Sequence, residues 1–262
     1  MLHPFLNIAI QAARAAAKVV VRYVDQIDKV VISEKSAHDF VTQVDQQSEA
    51  IIIETIQHVY PNHAILAEES GELSGHSEYT WIIDPLDGTR NFVHGFPHFS
   101  ISIAVLKNNQ PEIGLVYDPI RQELFTASQG QGAYANNRRM RVSTAKKLDN
   151  TLIGTGFPFR NRDKTEACFD FIKKIFSQCG DIRRTGSAAL DLAYVAAGRL
   201  DAFWEMGLGP WDIAAGAILI KEAGGVITDF QGGDAYLKTG NVACGNIKIH
   251  QVLLSEITDA RL

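Results

Sequence analysis

The sequence predicts a mixed α and β fold, with α+β character in its first half and α/β character in its second. Apolar residues near the start recur at helical spacings, successive strand-like runs follow, and the remainder alternates strands with helices. With 262 residues, 46% of them hydrophobic, the chain can bury a large core. We expect an N-terminal half over residues 1–145 and a C-terminal half over residues 146–262, packed as one compact unit.

Two amphipathic helices are predicted at the start of the chain. The second spans about residues 45–60, ends before Pro61 and is capped by Thr42 or Asp45. The first presents an apolar stripe formed by Phe5, Ile8, Ala12, Ala16, Val19 and Tyr23. Three basic residues interrupt it at helical intervals: Arg14, Lys18 and Arg22. We therefore expect neither a signal peptide nor a membrane span there.

Strand-like runs fill the middle of the chain, and two of them end in acidic residues. Residues 64–67 precede Glu68, and residues 79–83 precede Asp84. Further runs, predicting an antiparallel meander, cover 99–106, 112–117 and the stretch from 124. In the second half, strands are predicted at 152–155, 182–184, 202–205 and 226–229, alternating with helices at 164–179, 187–197 and 211–223.

The composition limits the classes of partner that the protein could bind and indicates its cellular compartment. The net charge of −5 gives no general attraction to nucleic acid or anionic lipid, and we interpret the basic stretch 137–141 as a solvated hairpin tip. Cys168, Cys179 and Cys244 lie far apart, which signals neither a disulfide framework nor a zinc site. Reduced thiols favour a cytoplasmic location.

The stretch WIIDPLDGTRNF, residues 81–92, carries the strongest chemical signal. Pro85 is expected to break the strand at Asp84 and to turn the chain so that Asp87 lies alongside. Two converging carboxylates repel each other unless a cation separates them, and oxygen clusters of this kind favour Mg²⁺ or Mn²⁺. Gly88 and Thr89 then offer backbone amides and a hydroxyl to a phosphate.

Several polar residues near these motifs also have simpler structural explanations. Asp212, in PWDIAAG, opens a predicted helix and alone would be interpreted as a cap, but together with the first motif it becomes a candidate metal ligand. His94 and His98 are assigned to packing or surface roles, because a Mg²⁺ site prefers oxygen. Arg90 is expected to face solvent; the alternatives are contact with a dimer partner or with a second anionic group.

Five motifs together resemble the inositol monophosphatase family, within the larger group of metal-dependent phosphatases that includes fructose bisphosphatases. They are EES at 68–70, DPLDGT at 84–89, GSAAL at 186–190, WEMG at 204–207 and WDIAAG at 211–216. The tract RRTGSAALDLAYVAAGRLD resembles the bacterial SuhB branch of that family. The resemblance implies an alternating αβαβα layered sandwich, a homodimer, lithium sensitivity and two or three Mg²⁺ ions per site, with Mn²⁺ as a possible substitute.

The resemblance also implies roles for individual residues. The metal ligands would be Glu68, Asp84, Asp87, Asp212 and the backbone carbonyl of Leu86. Asp45, Glu68 and Thr89 would be catalytic, with Asp45 and Thr89 positioning a water molecule. Substrate would contact Lys35, Asp87, Gly88, Thr89, Arg183, Gly186, Ser187, Ala188, Glu205 and Asp212.

The implied reaction is hydrolysis of myo-inositol 1-phosphate, or of a related small polyol or sugar monophosphate, by a metal-activated water molecule. Alternatives in the same class are a 3′-phosphoadenosine nucleotidase, a fructose bisphosphatase and a histidinol phosphatase. An alternative of a different class is implied by the SuhB branch: transcription antitermination and ribosomal RNA maturation, through binding of the elongation factor NusA. The two functions can coexist, because a metal site places no constraint on the outer surface.

Overall fold

The computed structural model describes residues 3–36, 39–158 and 162–260 of the chain. The helices are α1 (Pro4–Val24), α2 (Gln43–Val59), α3 (Thr89–Val93), α4 (Thr165–Phe176), α5 (Ala188–Ala196), α6 (Pro210–Glu222), α7 (Tyr236–Thr239) and α8 (Ile247–Ala260). The strands of the first half are β1 (Ile32–Ser36), β2 (Asp39–Thr42), β3 (Ala64–Ala67), β4 (Gly71–Leu73), β5 (Tyr79–Asp87), β6 (Ser100–Lys107), β7 (Gln110–Asp118), β8 (Glu123–Ser128), β9 (Gly132–Ala135) and β10 (Arg138–Arg139). Those of the second half are β11 (Leu152–Thr155), β12 (Asp181–Arg183), β13 (Ala202–Glu205), β14 (Val226–Thr228) and β15 (Val242–Gly245).

The strands form two sheets and one separate hairpin. The larger sheet has the order β10-β9-β8-β7-β6-β5-β3-β4 and is antiparallel except where β3 runs parallel to β5. The smaller sheet has the order β12-β11-β13-β15-β14, with β11 parallel to both of its neighbours. β1 and β2 pair with each other. The meander and the strand-helix alternation predicted from the sequence are both present.

Alternating faces of the two sheets build three helical layers. Trp81 and Ile83 of β5 pack with α1 and α2, whereas Ile82 faces the opposite way, toward α5 and α6. Those two helices fill the space between the sheets and meet Phe203 of the smaller sheet. The far side of the smaller sheet, including Trp204, packs with α4 and α8. This is the αβαβα layering that the family resemblance implies.

α1 forms the outer layer over the larger sheet. It is long and apolar enough to cross a bilayer by length and composition. Its small residues Ala9, Ala12 and Ala16 are fully buried in a cluster with Trp81, so its apolar stripe is covered by the protein's own core. The helix packs chiefly against α2.

The expected strand break at Asp84 is wrong. β5 continues through Pro85 to Asp87, and its pairing with β6 shifts register between Asp84 and Asp87. The irregular register accommodates Pro85, which has no amide hydrogen to give the ladder, and its carbonyl accepts from Ser48 Oγ at 3.0 Å. The two aspartates converge through this bulge.

Other differences lie near the chain's end and at one hairpin tip. β15 and α8 were not predicted, although Ile249, Leu253 and Ile257 recur every four residues and are buried. The stretch 137–141, interpreted as a solvated hairpin tip, follows a turn with Asn136 and Asn137 at positive φ and has Arg138 and Arg139 exposed, but Met140 within it is buried. The boundary between residues 145 and 146 stays a prediction.

Candidate active site

Three carboxylates from two distant segments form the centre of the site. Asp84 and Asp87 come from the bulge of β5, and Asp212 comes from the first turn of α6. One carboxylate oxygen from each lies within 4.8 Å of the others, and all three side chains are buried. Asp84 is oriented by the Leu86 amide, which donates to its Oδ1 at 3.0 Å.

Asp87 is held by the start of α5. Its Oδ2 accepts hydrogen bonds from Ser187 Oγ and from the Ala189 amide, the latter at 2.8 Å. These contacts join residues about a hundred positions apart and tie the bulge to the layer between the sheets. These bonds fix the orientation of the Asp87 carboxylate.

Asp212 is both a helix cap and a member of the acidic cluster. Its Oδ2 accepts from the Gly209 amide at 2.7 Å, which caps α6. The cap and metal-ligand interpretations of the sequence are therefore compatible, because the cap fixes the carboxylate that reaches Asp84 and Asp87.

Glu68 reaches the same pocket from the end of β3. β3 and β5 are parallel, so their carboxyl ends lie at one edge of the sheet, and the Glu68 amide donates to the Ile83 carbonyl at 3.1 Å. Glu49 of α2, buried in the core, secures the following turn. Its two carboxylate oxygens each accept at 2.9 Å, one from the Glu69 amide and one from the Ser70 amide.

Asp45 and Thr89 form a hydrogen-bonded pair beside the acidic cluster. Thr89 Oγ lies 2.8 Å from Asp45 Oδ1 and 3.0 Å from the Leu86 carbonyl oxygen. The other oxygen of Asp45 accepts from the amide of Thr42 at 2.9 Å and from its hydroxyl at 2.5 Å, completing the capping box of α2. Burial raises the pKa of Asp45. The pair can orient a polar ligand in the pocket.

The site has excess buried negative charge. Burial, with the charges of Glu68, Asp87 and Asp212, raises the pKa of Asp84 well above its usual range. Burial raises the pKa of Asp87 to about 6 against the opposing hydrogen bond from Ser187. A hard divalent cation would offset this charge, and the donor set of carboxylate and carbonyl oxygens is the set Mg²⁺ prefers.

The substrate side of the pocket is built from tight turns. Gly88 has φ 95°, and a Cβ there would lie 3.1 Å from the His98 carbonyl oxygen and 3.2 Å from that of Gly186. Asn91 holds the same two segments together, donating to the carbonyls of His98 at 2.7 Å and Thr185 at 2.9 Å. The pocket is lined by Gly88, Thr89, Gly186, Ser187, Ala188 and Glu205, and their contact with substrate stays a prediction.

Arg183, one of the basic residues expected to contact substrate, lies outside the pocket. It forms an ion pair with Asp181 and does not line the pocket. Its neighbour Arg184 lines the pocket, with its guanidinium carbon 5.4 Å from the centroid of the Phe157 ring. Arg90, expected to face solvent with a second anionic group as one alternative, is exposed and also lines the pocket. Lys35 lies on β1, and its side chain falls outside the described residues.

Several pocket and supporting residues were not selected from the sequence. They are Ser48, Glu49, Asn91, Arg184 and Asp191. The sequence predicted a strand through residue 184, whereas β12 ends at Arg183, so no sequence signal singled out Arg184 as the arginine that enters the loop. His98 is buried and its pKa is lowered to about 4 by burial, in keeping with the packing role predicted for it.

Comparison with known proteins identifies the family. The inositol monophosphatase family model matches residues 1–261. The chain is 51% identical over 259 residues to the Nus factor SuhB of Escherichia coli K12, a match covering 98% of this chain and 97% of that protein. It resembles the crystal structure of extragenic suppressor protein suhB from Bartonella henselae with a TM-score of 0.95 and 40% identity, covering 97% of this chain and 98% of that one. Inositol monophosphatase from Anabaena gives a TM-score of 0.86 and 40% identity, covering 97% and 95% of the two chains. The chain therefore belongs to the inositol monophosphatase family.

Proposed function

We propose that this protein is a Mg²⁺-dependent phosphomonoesterase that hydrolyses myo-inositol 1-phosphate and related small polyol or sugar monophosphates. The observation that carries the proposal is the buried cluster of Asp84, Asp87 and Asp212 beside the Asp45–Thr89 pair. Glu68, the three aspartates and the Leu86 carbonyl would hold the metal. When bound, Mg²⁺ supplies Lewis-acid activation of water and neutralises phosphate charge.

The chain's own groups prepare the attack on phosphorus. Thr89 Oγ, which donates to Asp45 Oδ1 over 2.8 Å, can accept a hydrogen bond from a water molecule in the pocket. The proton lost by that water would pass through Thr89 to Asp45, whose raised pKa favours proton uptake. Hydrolysis then forms one P–O bond to the water oxygen and breaks the P–O bond to the polyol, whose oxygen takes up a proton from solvent water, without a protein nucleophile.

Substrate recognition would be divided between two sides of the pocket. The amides of Gly88 and Thr89 would receive the phosphate, and Gly186, Ser187, Ala188 and Glu205 would face the ring. Asp87 and Asp212 would contact substrate through the metal. Lys35, on β1, is retained as a candidate phosphate contact, and Arg184 replaces Arg183 as the arginine at the ring side.

Phosphate release tests the proposal directly. We expect Mg²⁺-dependent turnover of inositol 1-phosphate by the wild-type protein and its loss in Asp87→Asn, with the same far-ultraviolet circular dichroism in both proteins. Asp181→Asn is the matched control, because that carboxylate is exposed and pairs with Arg183 outside the pocket. Turnover of a different ester alone would support the metal mechanism and assign another substrate. If Asp87→Asn hydrolysed inositol 1-phosphate as fast as the wild-type protein does, the proposed active site would be refuted.

A second candidate function is favoured by the 51% identity to a Nus factor. In this function the protein binds transcription elongation proteins, NusA among them, and supports antitermination and ribosomal RNA maturation. Capture of purified NusA by wild-type protein and equally by Asp87→Asn would support it. Absence of a complex at micromolar concentrations of both proteins would count against it.

The remaining expectations belong to the same proposal. A homodimer would give twice the 28.8 kDa chain mass in light scattering. Lithium would inhibit turnover by competing at the metal site, and Mn²⁺ would partly replace Mg²⁺. Cell fractionation would find the protein in the cytoplasm.

A further inference from the structure

Two buried carboxyl groups lie in the substrate pocket outside the candidate metal cluster. Asp191, on α5, is 1% exposed, and Glu205, at the end of β13, is 8% exposed. Both line the pocket, and they are close enough for the charge of Asp191 to raise the pKa of Glu205. Neither belongs to the cluster formed by the three aspartates.

Gly156, directly after β11, leaves room for the Glu205 carboxyl group. A Cβ there would lie 1.9 Å from the Glu205 carboxyl carbon, so a larger residue would displace that side chain. A Cβ on Gly154, on β11, would lie 3.6 Å from the Asp191 carboxyl carbon, an ordinary contact distance, and closer to Leu200 and Phe203. The chain at Gly156 is therefore shaped around the Glu205 carboxyl group.

Asp191 is only half satisfied by the protein. Its Oδ2 accepts from Thr185 Oγ at 2.8 Å, which fixes the orientation of the carboxyl group. Its Oδ1 is buried and has no hydrogen-bond partner in the described part of the chain. A buried polar atom without a partner is costly, and in a ligand pocket the ligand commonly provides that partner.

The position of Asp191 on α5 relates it to the metal site. The start of α5 holds Asp87 through Ser187 and the Ala189 amide, and Asp191 lies in the same first turn, where its amide donates to the Ser187 carbonyl. A short rigid helix therefore sets the distance between the phosphate-binding centre and the free oxygen. Polar groups fixed on such an element favour one orientation of a ring.

We infer that Asp191 is a specificity-determining residue. Its Oδ1 forms a hydrogen bond with one ring hydroxyl of the substrate, and Glu205 contacts the neighbouring ring hydroxyl. The inference rests on the proposed phosphatase function and narrows its substrates to cyclic polyol monophosphates with two neighbouring hydroxyls beyond the phosphate-bearing carbon. A ring without those hydroxyls leaves the Asp191 oxygen unpaired.

The test compares two phosphate esters with the same six-membered carbon ring, myo-inositol 1-phosphate and cyclohexyl phosphate. The ratio of their kcat/KM values is measured for wild type, Asp191→Ala, Asp191→Asn and Thr185→Val. Asp191→Ala should reduce the ratio about tenfold or more, since one substrate hydrogen bond in a buried site is lost. Asp191→Asn keeps a group that can exchange that bond, and its ratio should stay within about threefold of wild type.

Thr185→Val separates substrate contact from structural support. It removes the anchor of Oδ2 but keeps Oδ1, so it should change the ratio less than Asp191→Ala does. An equal loss for both esters in Asp191→Ala, or an Asp191→Asn protein that behaves like the alanine variant, would overturn the inference.

If the wild-type protein hydrolyses neither ester, inositol 1-phosphate is not the substrate of the proposed function, and binding would then decide the inference. Thermal shifts would be measured with Mg²⁺ and each ester. A larger shift with the inositol ester than with the cyclohexyl ester, lost in Asp191→Ala and retained in Asp191→Asn, would support the role of Asp191. Equal shifts with both esters in the wild-type protein would overturn it.

Discussion

Glu49 supports the metal site without lining it, and its substitution should weaken Mg²⁺ binding. In Glu49→Gln, one of the two acceptor oxygens is replaced by an amide NH2 group, a donor that faces the backbone N–H of Glu69 or Ser70, each of which lies 2.9 Å from its acceptor in the wild-type protein. Losing one hydrogen bond to a charged acceptor costs about 2 kcal/mol. If that cost falls on the ordered turn that presents Glu68, the Mg²⁺ affinity decreases about 10- to 30-fold, because about 1.4 kcal/mol is a factor of ten.

The assay is a Mg²⁺ titration of phosphate release, repeated with the Mg²⁺-induced rise in melting temperature. Glu54→Gln is the matched control, since Glu54 lies on the same helix and is exposed. We expect the half-saturating Mg²⁺ concentration to rise in Glu49→Gln alone, with a smaller change in turnover at saturating Mg²⁺. An unchanged Mg²⁺ requirement in folded Glu49→Gln would refute the proposed support of Glu68.

Three further outcomes follow from the site. Thr89→Val should lower kcat by about 100-fold or more, because it removes the hydroxyl that links water to Asp45; a kcat near that of wild type would contradict this role. The metal-free protein should gain stability as pH falls from about 8 toward 5, because the raised pKa of Asp87, about 6, means that the folded state binds protons before the unfolded state does. The Mg²⁺-induced rise in melting temperature should therefore be larger at about pH 8 than at about pH 5. Scanning calorimetry at both pH values measures it, and a larger rise at the lower pH would contradict the prediction. Gly156→Ala should raise KM for inositol 1-phosphate about tenfold. The added methyl group would lie 1.9 Å from the Glu205 carboxyl carbon and would therefore displace that carboxyl group. An unchanged KM in steady-state kinetics would contradict the contact between Glu205 and the substrate.

Local sequence signals predicted most of the architecture because they report local physics. The period of apolar residues in α1 and the apolar run at 79–83 reflect which residues are buried, and they correctly predicted a helix and a strand. Pro85 was misinterpreted because its effect depends on the partner strand: a register shift against β6 lets the strand pass it. α8 was missed despite its regular buried positions.

The supporting residues of the site depend on contacts that spacing does not encode. Asp87 meets Ala189 across 102 positions, and Glu49 meets Ser70 across 21. Nothing in the local pattern around Glu49 separates it from exposed Glu54 of the same helix. The choice between Arg183 and Arg184 likewise turns on where β12 ends. Motifs can therefore identify candidate ligands, whereas the groups that position them require the fold.

The most direct test of the central claim is phosphate release from myo-inositol 1-phosphate by protein stripped of divalent ions and then supplied with Mg²⁺. The account predicts no turnover by the stripped protein and recovery on adding Mg²⁺, with no recovery in Asp87→Asn. Turnover that persists after stripping, or a folded and Mg²⁺-saturated wild-type protein that releases phosphate from no ester in a broad panel, would contradict it.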